Sequence, residues 1–173
     1  TAALAALEAA LRLSPGNQDV VVAMGAVRML FYLLHSDGHA EDLYAGALRV
    51  AACLCESNAN SRLAVLSAGL AERSVRLVER FRFVGPVAQG HCRLVQSLLV
   101  GMKAEEKSRL EAAEAFATVY QIFDTSPPTA STLEAMATLE QLSSVDVALQ
   151  TEAACDGGGL FVCAQLVEPL TQT

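Results

Sequence analysis

The chain has 173 residues, 53% of them apolar, only 5% aromatic and none tryptophan, with a formal net charge of -7. That length supports one domain with a substantial core, and the Ala, Leu and Val behind the apolar fraction suit close-packed helices and exclude bulk disorder. The acidic balance disfavours phosphate-backbone binding, and the longest apolar stretches, broken by Arg28, His35 or Arg49, fall short of a membrane span.

In chain order, Thr1 to Leu13 reads as an Ala/Leu helix whose Glu8 and Arg12 argue against a cleaved leader. Ser14-Pro15-Gly16-Asn17 stops it. Asp19 to His35 places Gly25 ahead of Val27, Leu30, Phe31, Leu33 and Leu34, and Ser36-Asp37-Gly38 separates this short-helix region from the long helix LYAGALRVAACL. Ser57-Asn58-Ala59-Asn60 ends that helix. The arrangement returns around Gly69, with Gly85-Pro86 opening the long helix that holds HCRLVQSLL. It returns again around Glu114, with Ser126-Pro127-Pro128-Thr129 ahead of LEAMATLEQL, and once more at Gly158 before Leu160, Cys163 and Leu166.

The markers Gly25, Gly69, Glu114 and Gly158 stand 44, 45 and 44 residues apart. A second row, Leu11, Leu54, Leu98 and Leu142, falls inside the long helices at steps of 43, 44 and 44. A repeat near 44 residues belongs to armadillo and HEAT units rather than to the shorter tetratricopeptide. No alternating β-branched run is bounded by Asn-Gly or Asp-Gly, so the chain is expected to be all-α. Glycine at 25 and 69 suits a turn that needs positive φ or close approach.

The stretches ALRVAACLCESNANSRLAVLSAGLAERSVRLV and NQDVVVAMGAVRMLFYLL resemble the armadillo-repeat family, whose units run from a long helix through an Asn-bearing loop to short helices around a glycine. The likeness is good from Asn17 to Val78 and covers the rest only through the period; HEAT-like repeats are the near alternative. It implies a right-handed α-solenoid of three-helix repeats with period about 44. The whole chain, 1–173, then forms one armadillo-like domain. Residues 1–13 are the last helix of a preceding unit, 17–57 and 58–101 two central units, 104–144 a third, and 145–173 an incomplete terminal unit. Both ends are expected to expose apolar surface, through continuation of a longer solenoid or end-to-end self-association.

The resemblance also implies a partner-binding concave face on the long helices. Peptide-clamping members carry an Asn ladder there with Trp one turn earlier. The matching positions here are Ala10, Cys53, Ser97 and Gln141, then Ala6, Arg49, Arg93 and Ala137, so the nuclear-import type of clamp is rejected. What remains is Arg49 and Arg93, stacked one unit apart, with Cys53, Ser97 and Gln141 beside them. The arginines fit carboxylates of an acidic extended segment, or else bridge internally to Glu56 or Glu134.

A secondary patch, Arg73, Arg76 and Arg80, shares one helical face by its 3 and 4 spacing, interleaved with Glu72 and Glu79. The His35-Ser36-Asp37-Gly38-His39 loop gathers two imidazoles and a carboxylate, yet its spacing matches no established zinc site and reads as turn chemistry. His91 reads as a core-edge residue. Five cysteines, Cys53, Cys55, Cys92, Cys155 and Cys163, form no CxxC pair and read as reduced thiols in a cytoplasmic compartment. No Gly-rich phosphate loop, G-x-S-x-G or H-E-x-x-H is present.

The expected function is therefore a non-catalytic protein-interaction scaffold, with no catalytic residue, metal or cofactor, no nucleic acid and no membrane. It holds an extended segment or helix of a protein partner on its long-helix face. The alternatives are a structural subunit packed permanently in a larger assembly, such as a cytoskeletal or ciliary one, and a metal protein or enzyme using the His35–His39 loop.

Overall fold

The structure, a computed structural model, describes residues 2–14, 16–56, 58–100, 104–125, 127 and 129–145. The fourth marker, Gly158, Cys155, Cys163 and nearly all of the expected terminal unit 145–173 lie outside the described residues. Among the described residues there are ten helices and no strand. They are α1 (Ala2–Leu13), α2 (Gly16–Ala23), α3 (Ala26–His35), α4 (Glu41–Cys55), α5 (Ala59–Ser67), α6 (Leu70–Arg80), α7 (Gly85–Leu99), α8 (Ala104–Ala112), α9 (Ala115–Thr125) and α10 (Ala130–Val145). The protein is all-α. The chain divides into two compact units, Thr1–Leu139 and Glu140–Thr173.

Local chemistry accounts for the helix ends. Asn58 accepts the Ser61 N–H with its side chain and caps α5, so the residue read as the end of one helix also begins the next. Glu41 and Asp42 place negative charge in the first turn of α4, against the helix dipole. Pro86 occupies the first turn of α7, where its missing N–H costs nothing.

The three described markers of the 44-residue spacing share one backbone geometry. Gly25 and Gly69 take φ of 89° and 71°, and Glu114 takes 57°. Each donates its N–H to the carbonyl three residues back, at Val22, Leu66 and Glu111, and accepts from the N–H four residues on, at Met29, Arg73 and Thr118. Glu114 therefore adopts, at some cost for a residue with a Cβ, the left-handed turn that glycine makes freely at the other two.

Within the unit 1–139, helices three apart in chain order touch. α1 lies on α4 and α4 on α7; α3 lies on α6 and α6 on α9; α2 lies on α5 and α5 on α8. The α4–α7 pair is the most extensive, and every residue of α4 is buried except Glu41, Asp42, Leu43 and Arg49. Small residues permit this closeness. A Cβ added to Gly90 would stand 3.0 Å from Leu48 Cβ and 3.4 Å from the Ala45 carbonyl, and one on Gly46 would stand 3.1 Å from Leu4 Cδ1. Leu11, Leu54 and Leu98 are at most 1% exposed. Leu142, which falls in the unit 140–173, is also buried.

Two glycine exchanges should move stability in opposite directions in urea titrations. Gly90→Ala gains helix propensity but wedges a methyl against Leu48, and a net loss of about 1–2 kcal/mol is expected. Glu114→Gly relieves the left-handed turn and should gain up to about 1 kcal/mol. A stabilised Gly90→Ala or a destabilised Glu114→Gly would contradict this packing.

Candidate functional site

The long helices of the unit 1–139 carry a polar groove. Arg12 from α1, Arg49 and Ala52 from α4, Glu56 just beyond it, Arg93, Gln96 and Ser97 from α7, and Glu134 from α10 enclose about 260 Å³. These helices present their solvent-facing residues side by side because their apolar residues point inward. Arg49 is the break in α4's otherwise buried middle.

Two ion-pair systems hold the arginines. Glu8 accepts from Arg12 Nη2 at 2.9 Å with one oxygen and from Arg49 Nε at 3.2 Å with the other, bridging α1 to α4. Arg93 donates through Nε (2.9 Å) and Nη2 (2.8 Å) to a single oxygen, Oε1 of Glu134. Gln96 Nε2 donates to the Glu134 main-chain carbonyl at 3.3 Å, and Ser97 Oγ turns back to the Arg93 carbonyl at 3.0 Å. With Glu56 at the groove's edge, three glutamates match the three arginines, and Arg49 and Arg93 keep about a third of their side-chain surface in water.

Of the residues expected on this face, Arg49, Arg93 and Ser97 line the groove together. Arg93 pairs with Glu134, one of its two foreseen internal partners, whereas Arg49 pairs with Glu8 rather than Glu56. Cys53 is 1% exposed, taking a hydrogen bond from Arg12 Nε at 3.4 Å and donating to Glu56 at 3.9 Å. Gln141 belongs to the other compact unit, where its main-chain carbonyl accepts from Ser144 Oγ. Arg12 and Gln96 escaped the sequence reading because neither falls on the rows counted from Leu54. The signal available for Arg12 was its i,i+4 spacing from Glu8.

The second arginine patch divides. Arg73 donates to the Leu34 carbonyl at 2.6 Å and lies 3.6 Å from Asp37, and Arg80 pairs with the same Asp37 at 3.2 Å while covering the Tyr44 and Phe81 rings. Both bind α6 to the turn after α3, and Arg76 faces solvent. In the His35–His39 loop, His35 stacks on Phe31 with centroids 4.0 Å apart and meets the Phe31 carbonyl through Nδ1. Among the described residues no cluster of three or more His, Cys, Asp or Glu is placed to hold a metal ion. Burial raises the thiols: Cys53 is shifted up against the hydrogen bond from Arg12, and Cys55 and Cys92 are both pushed up to about 12. All three are free and buried, hence protonated at neutral pH.

His91 is completely buried rather than at the core edge. Its Nδ1 lies 2.8 Å from Ser74 Oγ and its Nε2 lies 3.2 Å from the Ala115 carbonyl, linking α7 to α6 and α9. Its contacts are 17 and 24 residues away in sequence, so no repeat spacing points to them. Among the described residues no single helix is long and apolar enough to cross a membrane. The chain matches no protein-family model, and no curated protein matches it.

Burial lowers the His91 pKa to about 4, from an ordinary 6.5. The unfolded chain therefore takes up a proton that the folded chain refuses, and stability present above pH 6.5 is lost as pH falls toward 4. Between pH 7 and 4.5 the imidazole alone should remove about 2–3 kcal/mol. Urea unfolding of wild type and His91→Gln at both pH values isolates that share from the carboxylates. An identical pH dependence in the two proteins would contradict it.

Proposed function

We propose that the chain is a right-handed α-solenoid of armadillo-like units serving as a non-catalytic scaffold, with an acidic extended segment or helix of a protein partner lying in the long-helix groove. What supports the solenoid is the common left-handed turn at Gly25, Gly69 and Glu114, together with polar contacts that span one period. Arg49 with Glu8, Arg93 with Glu134, Arg109 with Ser67, Asn58 with Asp19 and Ser131 with the Gly85 carbonyl are separated by 39 to 46 residues. Buried reduced thiols suit a cytoplasmic setting.

The observation that carries the binding reading is the convergence of Arg12, Arg49 and Arg93 on one groove, each held by an internal carboxylate. These ion pairs are partly buried yet leave Arg49 and Arg93 about a third of their side-chain surface in water, where a partner's carboxylates can compete with Glu8 and Glu134 for the guanidiniums. The ion pairs meanwhile fix the guanidiniums at the groove before a segment arrives, which lowers the ordering entropy of binding. Gln96 and Ser97 add polar groups suited to a peptide backbone.

A second reading, a subunit packed permanently in a larger assembly, is favoured by exposed apolar side chains such as Leu13 (86%), Val20 (58%) and Leu133 (69%). A scaffold stays monodisperse when purified alone, whereas such a subunit aggregates.

Selection from a displayed library of random linear segments tests the groove. Acidic segments should be enriched, and Arg49→Gln/Arg93→Gln should weaken them at least tenfold, about 1.4 kcal/mol, with helix content retained. Enrichment of neutral or basic segments, or unchanged binding by the double variant, would overturn the proposal.

A further inference from the structure

The charges along the groove are not all matched from within. Glu8 takes Arg12 and Arg49, and Glu134 takes Arg93. Among the described residues Glu56 is left with no ion pair, and its Oε1 accepts only the Cys53 S–H, at 3.9 Å. Arg12 meets the same sulfur at 3.4 Å through Nε but gives its Nη2 to Glu8. Glu56 is exposed and continues the helical backbone of α4.

Its position relative to the arginines is fixed by the helices. A Cβ on Gly85 would collide with the Glu41 carboxylate, and one on Gly90 would press on Leu48, so α4 and α7 run side by side in the same direction. Arg49 and Arg93 each lie eight residues past the Glu41–Gly85 pair and so stand at one level across the groove. Glu56 is seven residues beyond Arg49 on the same face of α4, two helical turns and about 10 Å along the axis. Between these levels α4 contributes only Ala52, with Gln96 and Ser97 on the α7 side. The groove is therefore polarised along its length, with two guanidiniums at one level and an unpaired carboxylate about 10 Å on.

Resting on the groove reading above, we infer that the bound segment, acidic overall, carries one basic residue three positions from the carboxylate that meets Arg49 and Arg93, and that Glu56 selects it. An extended chain advances about 3.3 Å per residue, so three residues cover the same distance. A helix, about 10–12 Å across with its side chains, is too wide for a groove of about 260 Å³. The segment lies extended over Ala52, and its lysine or arginine gains a carboxylate that no internal cation holds.

Fluorescence anisotropy with the full chain tests this. Acidic peptides of one sequence carry Lys, Gln or Glu three residues from a central glutamate, on its N-terminal side in one set and its C-terminal side in another. In one of the sets the Lys peptide should bind about fivefold more tightly than the Gln peptide and at least about tenfold more tightly than the Glu peptide. Moving the lysine next to the glutamate should remove the gain. Glu56→Gln, which keeps an acceptor for the Cys53 thiol, should erase the difference between the Lys and Gln peptides without weakening the Gln peptide. Equal binding of the three in both sets, a lysine that serves as well beside the glutamate, or a preference that survives Glu56→Gln would overturn this inference and leave the acidic-segment reading standing. Binding of no peptide, or binding untouched by Arg49→Gln/Arg93→Gln, would overturn both.

Discussion

The approach of α4 to its two neighbours is the constraint on which the rest of the unit 1–139 depends. Gly46 lies under Leu4 of α1, and Gly90 lies under Leu48 of α4, each so closely that a methyl group would stand 3.1 or 3.0 Å from the carbon above it. Ala45, Ala47, Ala51 and Ala52 extend the small-residue surface on which the helices meet, so backbone comes near backbone and the leucines fill the space at the sides. Gly46 and Gly90 are themselves 44 residues apart, and so are the leucines they meet, Leu4 and Leu48.

That closeness positions the polar chemistry. With α1, α4 and α7 side by side, residues on their exposed edges lie within reach of one another, and Glu8 can bridge Arg12 and Arg49 across two helices. Arg93 meets Glu134 of α10, and Arg49 and Arg93 each keep about a third of their side-chain surface in water. The short helices are linked differently. Arg73 and Arg80 join α6 to the end of α3, and His91 joins α7 to α6 and α9 through uncharged contacts. Charged links therefore lie at the surface, where water offsets the desolvation of each ion, and the interior link is a neutral imidazole.

Much of this was legible because the 44-residue spacing in the sequence sets similar residues at similar positions. Gly25 and Gly69 advertised a left-handed turn by their identity, whereas Glu114 could be assigned to the same turn only by its distance from them. The rows gave Arg49 and Arg93, and Glu134 was one of the two glutamates named as their internal partners. Contacts that break the period were invisible. Glu8 lies in the first helix, for which no earlier unit supplied a template, and the Ser74–His91 contact spans 17 residues. The shared role of Gly46 and Gly90 was missed as well, since a glycine inside a helix reads first as a weak helix former. Its value shows only when the neighbouring helix is in place.

Residue-resolved native-state hydrogen exchange tests the central role of the α1–α4–α7 contact most directly. If the packing at Gly46 and Gly90 holds the unit together, the amides in the middle of α4 and α7 exchange last and at a common free energy, while those of α2 and α8 open earlier. Amides of α4 that exchange as fast as those of α2, or independently of those of α7, would contradict it.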